Sequence, residues 1–297
     1  LAQTTENPDI SFIGDVRLSM HNDQESRPGE DGKMMLDFHE LEIAATGYLN
    51  PFARADIYLG IHGTEGPIEI EEAYLTLLRG LPLNLQLKAG QYLPDFGKLN
   101  TQHPHQWSWI ERPLMFQEMF GHDGFRDIGI NLSSLIPVGN TALGLSAHAL
   151  KTGGVGEHHH HHDGESEEEE NHEAEETTLK NLAFSGRISA FTPIGDVTFL
   201  EAGVSWLRAE SMPVENLYAD LLDLDFKLKW KPDNYRSLTL VVEYLYNSRP
   251  VEEEDHEVID TKSSGSFAAL DYQFRRRFNA GMFYDYTQGA ENEDEFR

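Results

Sequence analysis

Apolar and polar residues alternate with period two through most of the chain, in runs of about eight to fifteen residues bounded by turn formers. Thirteen such runs fall at roughly 9–19, 33–48, 52–60, 68–79, 83–92, 127–135, 140–150, 179–191, 196–208, 217–230, 236–247, 265–275 and 278–287. Each predicts a β-strand, and helix-period patterns are nearly absent. The clearest alternation sets Leu83, Leu85, Leu87 and Ala89 against Asn84, Gln86, Lys88 and Gly90. A second sets Leu222, Leu224, Phe226, Leu228 and Trp230 against Leu221, Asp223, Asp225, Lys227 and Lys229.

The connections alternate strictly between short and long. Short turns are Asn50-Pro51, Gly80-Leu81-Pro82, Pro137-Val138-Gly139, Thr192-Pro193-Ile194-Gly195, Pro232-Asp233-Asn234 and the region of Arg276-Arg277. Long connections cover 20–32, 61–67, 93–126, 151–178, 209–216 and 248–264. This is the pattern of an up-and-down meander whose long loops share one end, and it predicts an all-β fold, a transmembrane antiparallel β-barrel with short periplasmic turns and long outer loops. Tyr48, Phe52, Trp230, Tyr235, Phe191, Phe274 and Phe278 lie beside the short turns, where an interfacial aromatic girdle belongs. Thirteen is an odd count, and the acidic tail after Gln288 starts a further loop. The expectation is one barrel domain over 1–297 that lacks C-terminal strands, cut from a barrel of about 14–18.

Composition narrows the partners. With 23 Lys plus Arg against 51 Asp plus Glu, the formal charge is −28. Nucleic acid is disfavoured, because affinity for polyphosphate needs basic residues to displace counterions and no basic patch exceeds Arg275-Arg276-Arg277. No cysteine is present, which removes disulfides and thiolate chemistry. No run of about 18 apolar residues predicts a membrane helix, whereas barrel strands need no such run. The start Leu1-Ala2-Gln3-Thr4-Thr5 has no basic n-region and no apolar h-region, so a signal peptide is expected to be already missing.

Placing the polar face of each strand inside a barrel gives an interior with charges of both signs: Asp15, Arg17, Glu40, Glu42, Arg54, Asp56, Glu72, Lys88, Arg187, Asp223, Asp225, Lys227, Lys229, Glu243, Asp271, Arg275 and Asp285. A water-filled pore uses such charges to set ion preference, and a closed barrel fills its interior with salt bridges. The connection 93–126 is too apolar for a solvated loop, with Trp107, Trp109, Ile110, Leu114, Met115, Phe116, Met119, Phe120 and Phe125. Folding inward would bury these side chains. It would also make His103, His105, Glu111, Arg112 and Arg126, with Arg54, Asp56 and Lys88 on the strands, candidates for a pore constriction. Packing over the rim or against a neighbouring subunit is the alternative.

Of 14 histidines, only His39 and His148 lie in predicted strands; the others fall in long connections. The loop 151–178 carries Glu157, His158, His159, His160, His161, His162 and Asp163, followed by an acidic run and His172. Clustered imidazoles with neighbouring carboxylates suit Zn, Cu or Ni, so this loop is expected to bind divalent transition metals loosely, Zn2+ among them. A solvated acidic loop, or carboxylates bridged by Ca or Mg to lipopolysaccharide phosphates, are the competing readings. No cofactor is required. No Gly-x-Ser-x-Gly, His-Glu-x-x-His or phosphate-cradling loop is present, so the chain is not expected to be an enzyme.

Several segments carry a resemblance: Asn7-Pro8-Asp9-Ile10-Ser11-Phe12-Ile13-Gly14-Asp15, Glu71-Glu72-Ala73-Tyr74-Leu75, Gly90 through Asn100, His103-Pro104-His105, Arg112-Pro113-Leu114 and Gly124 through Gly129. Together these resemble a family of Gram-negative barrels identified as zinc-regulated outer-membrane proteins, often labelled TonB-dependent receptors. The Phe96-Gly97 stretch is similar to phosphate-selective porins of the O/P type. The resemblance is densest over 7–135 and implies an outer-membrane location and expression linked to zinc supply. A TonB-dependent transporter carries an N-terminal plug before its barrel, whereas the first predicted strand here starts near Asp9. The expected function is therefore a porin-like channel for small hydrophilic solutes or ions, with outer His and Glu loops that bind zinc. A surface metal-binding or adhesive barrel with a closed lumen, or the barrel part of a TonB-dependent metal receptor, are the alternatives. The expected partners are the lipid bilayer, lipopolysaccharide, divalent metal ions and, as porins commonly have, two further copies in a homotrimer.

Overall fold

The computed structural model describes residues 8–20, 33–63, 66–121, 123–151, 182–211, 217–252, 258–288 and 294–296. Its strands are β1 (Asp9–Met20), β2 (Met34–Asn50), β3 (Ala53–His62), β4 (Ile68–Leu77), β5 (Gln86–Tyr92), β6 (Asp127–Val138), β7 (Thr141–Leu150), β8 (Ala183–Ile194), β9 (Thr198–Glu210), β10 (Tyr218–Trp230), β11 (Ser237–Glu252), β12 (Val258–Arg275), β13 (Phe278–Gln288) and β14 (Asp294–Phe296). They form one sheet in chain order. Among the described residues no helix is long and apolar enough to cross a membrane.

The alternation places most strands within a few residues of their observed bounds, and the departures have physical causes. A fourteenth strand joins the thirteen expected, pairing with β13 from Tyr286↔Phe296 to Gln288↔Asp294. Three residues are too few to show a period, so the tail was legible only as a loop. The first of the two clear alternations starts too early. Residues Pro82–Asn84 form a single 3₁₀ turn with Leu83 and Asn84 at φ 58° and 55°, and β5 begins at Gln86. β12 begins at Val258, not 265, because its first residues pair with the end of β11, where backbone bonding requires no apolar alternation.

Two short turns are held by their own side chains. Asn50 Oδ1 accepts the N–H groups of Phe52 and Ala53 at 2.8 and 3.0 Å. Asp233 Oδ1 accepts those of Tyr235 and Arg236, both at 2.8 Å, while Arg236 Nε donates to Oδ2 at 2.7 Å. Such Asx turns reverse the chain in a few residues. Bonds to its charged form lower the Asp233 carboxyl below the ordinary range, the Tyr235 N–H being the largest contributor.

The chain divides into two units, 1–80 with 88–92, and 81–87 with 93–297. In both, the usual relation between burial and polarity is inverted. On β10, Asp223 and Asp225 are buried while Leu222, Leu224 and Phe226 are exposed. Elsewhere in the second unit, Ile128, Ile130, Phe184, Ile188, Val204, Met282 and Tyr284 are exposed, as Arg187, Ser205, Glu243 and Asp285 are buried. In the first unit, Phe12, Leu18, Leu36, Ile68 and Ile70 are exposed while Glu40, Glu42, Asp56 and Glu72 are buried. A soluble sheet hides the apolar face, and strands bathed in hydrocarbon present it. Aromatics cluster beside the short turns: Phe191 stacks on Phe199 at 5.9 Å, and Phe274 on Phe278 at 6.1 Å.

Candidate functional site

Antiparallel register carries the polar face of the second unit across seven strands as two rows of directly opposed residues. Ser146, Arg187, Ser205 and Asp223 form one row from β7 to β10. Asp225, Glu243, Phe267 and Asp285 form the other from β10 to β13. Period two brings these residues to one face because each is opposite its neighbour in the ladder.

Segment 93–126 docks on these rows in the order of its own sequence. Asp95 accepts a bond from Ser146 Oγ at 3.1 Å and lies 3.3 Å from Arg187 Nε. Gly97 N–H donates to Ser205 Oγ at 2.9 Å. The next two N–H groups, of Lys98 and Leu99, donate to the two carboxylate oxygens of Glu243 at 3.0 and 3.2 Å. Trp109 packs on Phe267 and Phe283 at 5.7 and 5.5 Å. Leu114 N–H donates to Asp285 Oδ2 at 2.7 Å. Gly97 has φ +66°, and a Cβ there would collide with the Glu243 carboxylate, so glycine is what lets the backbone come this close.

Internal contacts stiffen the segment. Asn100 Nδ2 donates to the carbonyls of Pro94 and Phe125, each at 2.8 Å, and Phe125 N–H returns a bond to Asn100 Oδ1 at 3.0 Å. This side chain clips the two ends of the segment together. Helix α1 (Leu114–Phe120) buries Met115, Phe116 and Met119. Its seven residues give too little length for a helical period to be visible in the sequence, which predicted no helix here.

Charges along the polar face separate by sign. Arg187 holds Asp225 through two bonds, at 2.5 and 2.9 Å, and also donates to Ser205 at 3.0 Å. Asp223 and Glu243 lie on the same side, so carboxylates outnumber the arginine there. Toward the short-turn end, Lys227, Lys229 and Lys231 line a cleft with Phe191, Phe199, Leu200 and Glu201, and Lys98 Nζ pairs with Glu201 at 2.6 Å. β10 thus runs from an acidic half to a basic half. On the segment, burial raises the Asp95 carboxyl above its ordinary range, with Arg187 opposing that shift. Burial lowers Arg112 to about 10, with Asp123 opposing.

The residues predicted to form a constriction fall into two sets. His103, His105, Glu111, Arg112 and Arg126 are in the second unit, and Arg54, Asp56 and Lys88 in the first. His103 and His105 stack at 5.7 Å around Pro104. Arg112 is buried inside the segment, its guanidinium 5.0 Å from the Trp107 ring and bonded to the Asp123 carbonyl at 3.2 Å. Arg126 lies 4.0 Å from Asp123, and Glu111 is exposed. In the first unit, Arg54 Nε donates to the buried Asp56 at 2.9 Å, and Lys88 Nζ sits 4.3 Å over Tyr74 and 5.1 Å over Tyr92. The predicted metal ligands Glu157, His158, His159, His160, His161, His162, Asp163 and His172 lie outside the described residues.

Sequence reasoning missed Asp95, Lys98, Asn100, Ser146, Ser205 and Glu201 as members of this face. The Asp95-Phe96-Gly97 turn was the available signal, since a turn with a carboxylate and glycine inside an apolar segment implies a tight approach to something. The uncharged Ser146 and Ser205 carry no signal without the register.

No established family profile matches the chain. An uncharacterized protein of Aquifex aeolicus (strain VF5) is 28% identical over 309 residues, covering 94% of this chain and 64% of that protein. The chain thus spans a little under two thirds of this relative's length. Among solved structures, a loop-deletion mutant of OmpT, an outer membrane protein of Vibrio cholerae, is similar over 98% of this chain and 97% of that one, at 10% identity and a TM-score of 0.46. A mutant of the porin of Rh. blastica is similar over 96% of each chain, at 12% identity and a TM-score of 0.43.

Proposed function

We propose that this chain is the membrane-spanning part of a porin-like channel in the outer membrane of a Gram-negative bacterium, passing small hydrophilic solutes or ions without catalysis. The observation that carries the reading is the inverted face pattern: apolar side chains are exposed on strand after strand while charged ones are buried, and in the second unit the charged face is the one on which segment 93–126 docks. Its natural solvent is a bilayer core of about 30 Å flanked by lipopolysaccharide. The connections alternate in length only in part, since 78–85 between β4 and β5 is longer than 63–67 between β3 and β4, and 231–236 between β10 and β11 is longer than 253–257 between β11 and β12. The aromatics beside the short turns support the same placement. The acidic-to-basic change along β10 would set ion preference. The His and Glu loop at 157–172 would gather divalent transition metals, zinc included, at the long-loop end.

The docking of segment 93–126 favours a second reading, a surface metal-binding barrel with a closed lumen. Phe96, Leu99, Met115 and Phe116 are fully buried, as a plug would be. Planar-bilayer recording on the full-length protein separates the two. Discrete current steps support the channel, and a bilayer that stays silent after verified insertion supports the closed form.

A further inference from the structure

The polar face of the first unit holds a cluster that the channel reading does not use. Glu40 on β2 and His62, the last residue of β3, are directly paired across the ladder. Glu71 on β4 joins them through a β-bulge: Tyr58 pairs with Glu72 and the next residue, Leu59, with Ile70, so Glu71 is the extra residue. The bulge changes the phase of the strand. Ile68 and Ile70 are exposed before it, and Glu72 and Thr76 are buried after it, so the consecutive Glu71 and Glu72 both turn away from the apolar face. Gly60 makes the room, since a Cβ there would run into the Glu71 carboxylate.

We propose that Glu40, His62 and Glu71 form a binding site for a divalent first-row transition cation. One donor atom from each lies within 4.8 Å of the others. His62 Nε2 and Glu71 Oε1 are 3.6 Å apart. That is too long for a hydrogen bond and close to the edge of about 3.4 Å expected between two ligands each about 2.1 Å from a tetrahedral zinc. An imidazole nitrogen with two carboxylate oxygens suits zinc or its first-row neighbours, whereas Ca2+ takes about six to eight oxygens. Two carboxylates and a neutral imidazole balance the charge of a divalent ion, which relieves the cost of gathering acids on a sheltered face. Each donor comes from a different strand of one ladder, so the set is held in place before the ion arrives, with a fourth position left for water. The site is separate from the loop histidines and needs only strands β2, β3 and β4, so it can stand or fall apart from the channel reading.

The test is zinc chloride titration by calorimetry on the full-length protein in detergent, with His158 to His162 changed to Asn to silence the loop. One equivalent of zinc is expected to bind in that background. It should be lost on adding His62→Asn or Glu71→Gln, and weakened at least tenfold by Gly60→Ala. Unchanged stoichiometry in His62→Asn and Glu71→Gln, or no zinc bound in the background protein, would overturn the assignment. Should those variants fail to fold, an anomalous difference map at the zinc edge on the unmodified protein decides. A peak between the three side chains supports the site, and its absence at full zinc occupancy of the loop refutes it.

Discussion

The docking of segment 93–126 concentrates on Glu243, and Glu243→Ala is the perturbation that tests it. The carboxylate accepts the Lys98 and Leu99 N–H groups at 3.0 and 3.2 Å on a fully buried side chain. Truncation leaves two N–H groups without their acceptor, at a cost of about 1–3 kcal/mol each, or about 2–6 kcal/mol in all. Relief of repulsion from Asp223 and Asp225 opposes this and favours the lower end. Near 2 kcal/mol, at about 1.4 kcal/mol per decade, the undocked population rises about thirtyfold. Lys98 and Arg126 are tryptic sites within the segment, Arg112 being protected by the proline that follows it, so limited trypsin digestion of the folded protein reads that population directly. Cleavage between 93 and 126 is expected to accelerate at least tenfold while the strands stay intact. Glu243→Gln, which keeps one acceptor oxygen, should fall between. A digestion rate within twofold of the parent would refute the reasoning, because it would mean that these two bonds do not hold the segment.

Further outcomes follow from the same structure. Arg187→Met strips Asp225 of its two-bond partner in a buried setting and should destabilise the folded protein by about 3–5 kcal/mol in a urea titration; a loss under 1 kcal/mol would contradict the burial of the pair. Leu224→Arg, on the exposed apolar face of β10, should cost about 2–4 kcal/mol when folding is measured into lipid vesicles, whereas a neutral result would contradict lipid contact. Asp233 is held in its charged form by turn bonds, so its contribution is present above the unfolded-chain value of about 3.9 and lost as pH falls through the lower folded value. Its carboxyl carbon should titrate below that of a free aspartate by NMR, and a midpoint at or above the free value would refute the Asx turn.

Period-two alternation was enough to locate the strands because both faces of each are constrained, one by hydrocarbon and one by charge, so every residue carries information. It failed where the backbone breaks phase. The bulge at Glu71 lets two adjacent glutamates face one side, which no strict alternation permits, and so Glu71 was missing from the polar face while Glu72 was on it. His62 read as a loop residue because the strand end carries no apolar mark; pairing with Glu40 makes it part of β3. Segment 93–126 was legible as a stretch needing burial, from its tryptophans and phenylalanines. Its anchors were not, because the partners are 51 to 171 residues away, two of them are uncharged serines, and the segment meets some of them through backbone N–H groups.

The central claim is that alternate residues of each strand face lipid and a polar interior, and the absence of native cysteine makes single-cysteine labelling a clean test. Leu224→Cys, Phe226→Cys, Lys227→Cys and Lys229→Cys would be treated with a membrane-impermeant maleimide in native outer membranes. The account predicts labelling at 227 and 229 and protection at 224 and 226, with protection lifted on unfolding in urea. Equal labelling at all four positions, or protection of the lysine positions with labelling of the apolar ones, would contradict it.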